Sequence, residues 1–126
     1  MRGSSFRSRQ GARRARARPA GAHELDVAID LRRGPPSYGK WISALLRAEN
    51  GNQMFVPRGL AHGFLTLEPD TEVFYKASAF YSREHERGLV WDDAAIGVDW
   101  SIEAESVIMA ERDRALPRLA DLPAFF

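Results

Sequence analysis

The sequence predicts an all-β domain, a sandwich, jelly roll or barrel, from residue 25 onward. Three observations carry this prediction: the apolar residues come in short β-type runs, turn signals separate these runs, and no long stretch has apolar residues at helical spacing. About six short strands with regular turns are typical of such folds. The 126 residues suffice for one such domain.

The first predicted strands are divided by turns that contain proline or glycine. In residues 25–30 apolar and polar side chains mostly alternate, as in a strand with one face in a core. Two prolines within residues 32–37 end this strand, and the next is predicted over 38–46. The Asn-Gly pair in residues 49–52 predicts a hairpin that leads into a strand over 53–56.

The second half of the chain begins with a turn that places His62 at the start of a strand. The strand over 72–81 is the longest, because this run is rich in Val, Phe and Tyr. Residues 106–119 mix a short apolar run with a charged cluster that predicts a turn of helix. The predicted strands of this half are 62–67, 72–81, 89–91 and 95–100.

Composition excludes several classes of function. The chain has no cysteine, which excludes disulfides, thiolate zinc sites and cysteine nucleophiles and fits a reducing compartment. We therefore expect a cytoplasmic protein. Since no apolar run approaches the roughly 20 residues of a membrane-spanning helix, and no apolar stretch follows the charged N-terminus, we expect neither a membrane partner nor a secretory signal.

Residues 1–24 form a basic arm that differs from the rest of the chain. Residues 1–20 hold seven arginines and no acid, whereas residues 21–126 hold 11 basic and 17 acidic residues, a net charge of −6. With one large apolar residue, Phe6, the arm is predicted to be disordered, next to a domain over 25–126. The arm could bind nucleic acid through phosphates, but no aromatic residue is interleaved with the arginines, so we expect no such partner.

Between residues 26 and 126, eight sequence phrases occur in a fixed order and spacing. Together they resemble the dTDP-4-dehydrorhamnose 3,5-epimerase family, and the resemblance covers residues 25–126. It implies a cupin-like double-stranded β-helix, a jelly-roll barrel incomplete at its N-terminus, that usually works as a homodimer. The phrases are Asp26-Val-Ala-Ile-Asp-Leu-Arg32, Tyr38-Gly-Lys-Trp41, Ala48-Glu-Asn50, Val56-Pro-Arg-Gly-Leu-Ala-His-Gly-Phe64, Val73-Phe-Tyr-Lys76, Trp91-Asp-Asp93, Arg112-Asp-Arg-Ala-Leu-Pro117 and the final Leu-Pro-Ala-Phe-Phe.

The resemblance implies epimerisation of dTDP-4-keto-6-deoxyglucose at C3 and C5, in dTDP-L-rhamnose synthesis and without a cofactor. The 4-keto group acidifies both neighbouring protons, so a base removes each, a donor holds the enolate oxygen and an acid returns the proton from the opposite face. The family's acid corresponds to Tyr75, and the aspartate that supports its base to Asp113. The implied substrate contacts are Arg2, Asp26, His62, Tyr81, Glu86 and Arg112, with Tyr81 stacked on the thymine.

The positions of the family's base and enolate-stabilising lysine are where the sequence departs from the family. Ser5 stands where the base histidine is expected and Ala15 where the lysine is expected, and residues 4–24 keep the family's length but not its pattern, as two compensating frame shifts would produce. Two hypotheses follow: an active epimerase, or a catalytically dead fragment that retains at most dTDP-sugar binding. The missing base favours the second, since a base typically contributes about 10² to 10⁴ in rate.

Each candidate residue also has a purely structural interpretation. His62 on its own is more often a hydrogen-bonded turn histidine. Tyr75 and Tyr81 are six residues apart and share a strand face, which fits either a binding site or core packing. Asp113 lies in a charged cluster, and only the resemblance assigns it a role.

A metal site of the cupin type is the remaining alternative. Such sites use two histidines one residue apart, together with a carboxylate and a further histidine, whereas His23, His62 and His85 are isolated in this sequence. We therefore expect no metal.

Overall fold

The computed structural model describes residues 6–8, 13–18, 23–34, 36–79, 87–100 and 107–122. These residues are dominated by strands, which confirms the all-β class. The strands are β1 (Phe6–Ser8), β2 (Arg13–Arg18), β3 (His23–Asp30), β4 (Trp41–Arg47), β5 (Met54–Val56), β6 (Leu60–Thr66), β7 (Glu72–Ala77) and β8 (Arg87–Leu89), followed by the one-turn helix α1 (Glu111–Arg114). Short 3₁₀ turns lie at Ala48–Asn50 and Leu119–Asp121.

The described strands form two antiparallel sheets. One sheet has the order β4-β3-β6-β1-β8 and the other the order β5-β2-β7. In the first sheet β3 is central between β4 and β6, with Asp26 opposite Ala44 on one side and Phe64 on the other. The same register sets Ala28 opposite His62.

Strand β3 separates two clusters of buried side chains. Its outer face carries Val27 and Ile29, both fully buried in an outer core with residues of β6, β8 and the C-terminal segment. Its inner face carries Ala28, which belongs to an inner core built from both sheets, so this cluster lies between the sheets. The outer core contains Val27, Ile29, Leu31, Ala61, Leu65, Leu89, Ile96, Trp100, Val107 and Leu122, and the inner core Ala15, Ala28, Leu46, Met54 and Val56.

Part of the arm is ordered, which corrects the prediction of a disordered tail for those residues. Strand β1 pairs with β6 and β8, and β2 pairs with β5 and β7, so both take interior positions in their sheets. In β2, Ala15 and Ala17 alternate with arginines and are 0% and 5% exposed. The neighbouring strands supply the burial that the arm's own composition lacks, and the domain boundary at residue 25 stays a prediction.

The Asn-Gly pair forms a turn after β4, but the predicted hairpin is wrong, because β4 pairs with β3 and β5 pairs with β2 in the other sheet. Gly51 has a φ of 62°, which a residue without a Cβ adopts at no steric cost. The Asn52 side chain accepts a hydrogen bond from the Arg47 backbone N–H (3.0 Å) and donates to the Leu45 carbonyl (2.9 Å). These contacts hold the turn against the end of β4.

An ion pair at the end of β3 lies against the loop before β6. Asp30 accepts hydrogen bonds from the guanidinium of Arg32 at 3.0 and 2.8 Å, and these bonds hold the pKa of Asp30 well below its usual range. The Arg32 side chain lies directly over Gly59, where a Cβ would come within 2.6 Å of its Cγ. Gly59 therefore permits the close approach of the two loops that flank β3 and β6.

Segment 107–122 covers the outer face of the five-stranded sheet. Three hydrogen bonds attach it: Val90 N–H to the Pro117 carbonyl (3.0 Å), Leu119 N–H to the Asp93 carboxylate (2.7 Å) and the Arg33 guanidinium to the Leu122 carbonyl (2.9 Å). Its packing buries Val107 and Leu122 in the outer core.

Most predicted strands have somewhat different bounds in the structure. Strand β7 ends at Ala77, before the predicted end at residue 81, and β8 is Arg87–Leu89 where residues 89–91 were predicted. The predicted strand over 95–100 is wrong, because this segment forms turns around Asp93, whose carboxylate accepts the Ala95 N–H at 3.0 Å. The predicted turn of helix within 106–119 is confirmed by α1.

Candidate active site

The inner face of β3 carries two carboxylates in a position where most strands carry apolar side chains. Because side chains alternate along a strand, Glu24 and Asp26 share the face of Ala28, which belongs to the inner core. Both are 0% exposed. Charged groups are almost never fully buried without a partner, so this face is chemically unusual.

His62 on β6 is the partner of Asp26. The β3–β6 register sets His62 opposite Ala28, diagonal to Asp26, and the ring Nε2 makes a short contact with the Asp26 carboxylate. The two side chains are 2% and 0% exposed. Since Nε2 is used by Asp26, Nδ1 is the ring nitrogen left to take or give a proton.

Glu24 lies beside this pair without a hydrogen-bond partner among the described residues. Burial, and secondly the charge of Asp26, raise the pKa of Glu24 to about 8, so its carboxyl group holds a proton at neutral pH. Both Glu24 oxygens and the second oxygen of Asp26 lack a partner within the described part of the chain. Buried polar atoms of this kind are rare in folded proteins and mark a functional or strained site.

The three-stranded sheet contributes Tyr75. The β2–β7 register sets Tyr75 directly opposite Ala15, which is 0% exposed and belongs to the inner core. Tyr75 itself is 43% exposed. In the five-stranded sheet, Ile42 on β4 lies on the same face as Ala28 and is 62% exposed. These two side chains therefore leave part of the inner faces open to solvent.

The other predicted site residues are distributed around this centre. Asp113 is buried in α1, and Arg112 beside it is exposed. The ion pair of His62 is with Asp26, so the predicted role of Asp113 as partner of a base stays a prediction. Arg2, Tyr81 and Glu86 lie outside the described residues.

Glu24 is the site residue that the sequence-based reasoning missed. The prediction assigned it to the basic arm, whereas β3 begins at His23 and includes it. The available signal was its spacing of two residues from Asp26, which sets both carboxylates on one face of the strand.

In the described part of the chain, no group of three or more His, Cys, Asp or Glu side chains could hold a metal ion. None of the described helices is long and apolar enough to cross a membrane.

Two antiparallel sheets that enclose a buried histidine–aspartate pair define a jelly-roll protein with a candidate site between its sheets. The sequence profile of dTDP-4-dehydrorhamnose 3,5-epimerases matches residues 11–121. The enzyme of that name from Sinorhizobium fredii is 52% identical over 102 residues, which are 81% of this chain and 52% of the relative. The enzyme from Salmonella typhimurium is 38% identical over 119 residues, which are 94% of this chain and 64% of the relative.

Solved structures of such enzymes share the fold. The dTDP-4-dehydrorhamnose 3,5-epimerase from Elizabethkingia anophelis has a TM-score of 0.88 and 33% identity, covering 95% of this chain and 67% of its own. The Legionella pneumophila enzyme, solved with dTDP-4-keto-L-rhamnose, has a TM-score of 0.86 and 27% identity, covering 98% and 65%. This chain belongs to the dTDP-4-dehydrorhamnose 3,5-epimerase family, with its cupin-like jelly roll. It spans about half the length of the first curated relatives that it matches.

Proposed function

We propose that this chain epimerises C3 and C5 of dTDP-4-keto-6-deoxyglucose, a step of dTDP-L-rhamnose synthesis. The observation that supports this best is the buried His62–Asp26 pair on the inner face of the jelly roll. Epimerisation next to a ketone requires a group that exchanges protons near neutral pH, and a histidine held by a carboxylate is such a group. The relative from Legionella pneumophila, solved with a dTDP-4-keto sugar, supports the substrate class.

Within this proposal Tyr75 is the acid that returns the proton. It stands on the opposite sheet from His62, in the Phe-Tyr-Lys phrase of the family, and is half exposed to an incoming ligand. Arg2, Tyr81, Glu86 and Arg112 bind the nucleotide and its phosphates, and His62 and Asp26 contact the sugar. The family resemblance assigns Asp113 to the support of a base at position 5, which is Ser5 in this chain.

The alternative hypothesis, a dead fragment that only binds dTDP-sugars, is not favoured by the comparisons. The family profile extends through β2 and its partner strands, and identity with a curated epimerase reaches 52%. Strand β2 is also paired on both sides, so the arm completes a sheet that a damaged segment would leave open.

The test is exchange of solvent deuterium into C3 and C5 of dTDP-4-keto-6-deoxyglucose, followed by NMR in deuterated water. We expect the unaltered chain to exchange both positions, and a protein-free sample to show only the slow background. The double variant Ser5→His, Ala15→Lys is the comparison. If only the double variant exchanged, the chain would be a damaged epimerase and the proposal would be wrong.

We further propose that the protein acts as a cytoplasmic homodimer without a cofactor or metal. The lack of cysteine supports a reducing compartment, and the family resemblance supports a dimer and catalysis by side chains alone. Analytical ultracentrifugation should give twice the 14.1 kDa chain mass, and EDTA should leave the exchange rate unchanged. If the protein were a monomer that exchanges at the full rate, only the proposal of a dimer would be wrong.

A further inference from the structure

The proposed function leaves open which group removes the sugar proton in this chain. Ser5 occupies the position that the family resemblance assigns to the base, and a serine hydroxyl does not take up protons at neutral pH without a base of its own. Two groups on the inner face, His62 and Glu24, are chemically able to exchange a proton near neutral pH. The choice between them follows from their surroundings.

We infer that His62, held by Asp26, is the proton-abstracting base of this chain in place of residue 5. The inference rests on the proposed function, and it moves His62 from a substrate contact to a catalytic residue. The reaction requires a histidine that an aspartate supports, and His62 with Asp26 meets this requirement. The contact through Nε2 orients the ring and leaves Nδ1 available.

The proton transfers balance without a redox step. Nδ1 of His62 takes the proton from C3 or C5, and the C–H electron pair forms the enolate with the charge on the 4-oxygen. The Asp26 carboxylate stabilises the imidazolium that results, without itself taking the proton. The Tyr75 hydroxyl gives a proton to the opposite face of the carbon, after which solvent reprotonates the phenolate and removes the proton from His62.

Glu24 is unsuited to the role of base. It lies between Leu46 and Thr66 on the neighbouring strands and already holds a proton at neutral pH, so it cannot accept another from the sugar. The protonated Glu24 adds no second negative charge beside Asp26, so the negative charge next to His62 is that of Asp26 alone.

Titratable or charged residues stand at several inner-face positions of the described strands besides that of His62. Asp26 and Glu24 lie on β3 and Tyr75 on β7, and the β1–β6 register sets Arg7 directly opposite His62. Arg13 shares the face of Ala15 on β2. The inner-face residues that do not titrate are Ala15 on β2, Ala44 and Leu46 on β4, and Met54 and Val56 on β5.

The decisive experiment is chemical rescue of His62→Ala in the solvent-exchange assay. We expect a loss of about 10² to 10⁴ in the exchange rate, and recovery of at least about tenfold when imidazole is added. Pyrazole has the same ring shape but is a far weaker base, so it should fill the cavity without restoring exchange. The matched control is His23→Ala. His23 lies at the start of β3, 3.7 Å from Glu68, and takes no part in the proposed chemistry. This variant should exchange at the unaltered rate.

A second measurement uses the unaltered chain and decides the matter even if His62→Ala does not fold. The exchange rate should rise with pH along the same curve as the NMR titration of the His62 ring, which is assigned by elimination from the spectra of His23→Ala and His85→Ala. A folded His62→Ala variant that exchanges at the unaltered rate, or a pH profile that departs from the His62 titration by more than about one unit, would overturn the inference and leave the epimerase proposal standing. If the unaltered chain exchanged at no pH, the proposed function would fall, and this inference with it.

Discussion

The two faces of β3 are equally buried and chemically opposite. On the outer face Val27 and Ile29 are 0% exposed among apolar neighbours, and on the inner face Glu24 and Asp26 are 0% exposed with few or no hydrogen-bond partners among the described residues. Burial of apolar side chains stabilises the fold, whereas burial of carboxylates opposes it. The apolar outer face therefore supplies stability that offsets the cost of burying two carboxylates on the inner face.

The largest effect is expected where the inner face loses its ion pair. Asp26→Ala leaves His62 buried without its partner, so we expect a decrease of about 3 to 5 kcal/mol in the free energy of unfolding. Urea denaturation measures it. Asp92→Ala, at an exposed position, is the control and should change stability by less than about 0.5 kcal/mol. A decrease below about 1 kcal/mol for Asp26→Ala would mean that the pair is not a structural unit.

The second effect is a pH dependence of the free energy of unfolding that comes from the inner face of β3. Because the pKa of Glu24 is raised from 4.5 to about 8 in the folded protein, the unfolded chain releases this proton first, and stability falls as pH rises between these values. Glu24→Gln removes this dependence. It should match the unaltered chain at pH 4.5 and exceed it by up to about 4 kcal/mol at pH 8. The exposed Glu72→Gln should show no such widening, and equal gaps at both pH values would contradict the buried acid.

The third effect concerns rate and not stability. Tyr75→Phe removes the hydroxyl that returns the proton, and we expect the epimerisation rate to fall by at least about 10²-fold. Its midpoint of thermal unfolding should stay close to that of the unaltered chain, since the ring is retained. Phe74→Leu, at the neighbouring exposed position, is the control for the strand. Unchanged turnover of Tyr75→Phe would remove Tyr75 from the mechanism.

The smallest effect lies on the outer face. Ile29→Val deletes one buried methylene group, so the free energy of unfolding should decrease by about 1 kcal/mol at every pH. The exchange rate per folded molecule should not change. An altered pH profile in this variant would show that the two faces are coupled.

Much of the fold was predictable because its signals are local. The mostly alternating residues of β3 and the Asn-Gly turn each determine structure within a few residues. Strand β2 was not predictable in this way, since Ala15 and Ala17 carry little apolar area and only the partner strands bury them. The strand over 95–100 was wrong because Asp93 binds backbone N–H groups there and forms turns.

The site was predictable residue by residue but not as an arrangement. The family resemblance indicated His62 and Asp26 separately, each as a substrate contact. Their contact spans 36 positions and depends on the β3–β6 register, which no local pattern of the sequence determines. Glu24 was missed because the charge pattern of the arm concealed the start of β3.

The cover of segment 107–122 over the outer face has a consequence for the order of events during synthesis. Val27 and Ile29 leave the ribosome about 80 residues before Val107, their partner in the outer core. Through that interval the outer face of β3 has no C-terminal cover, and contacts of such long sequence separation form slowly. The apolar face that stabilises the finished protein is thus the surface that the nascent chain must protect from aggregation. The chain should need chaperones more when translation of the residues after β8 is slowed.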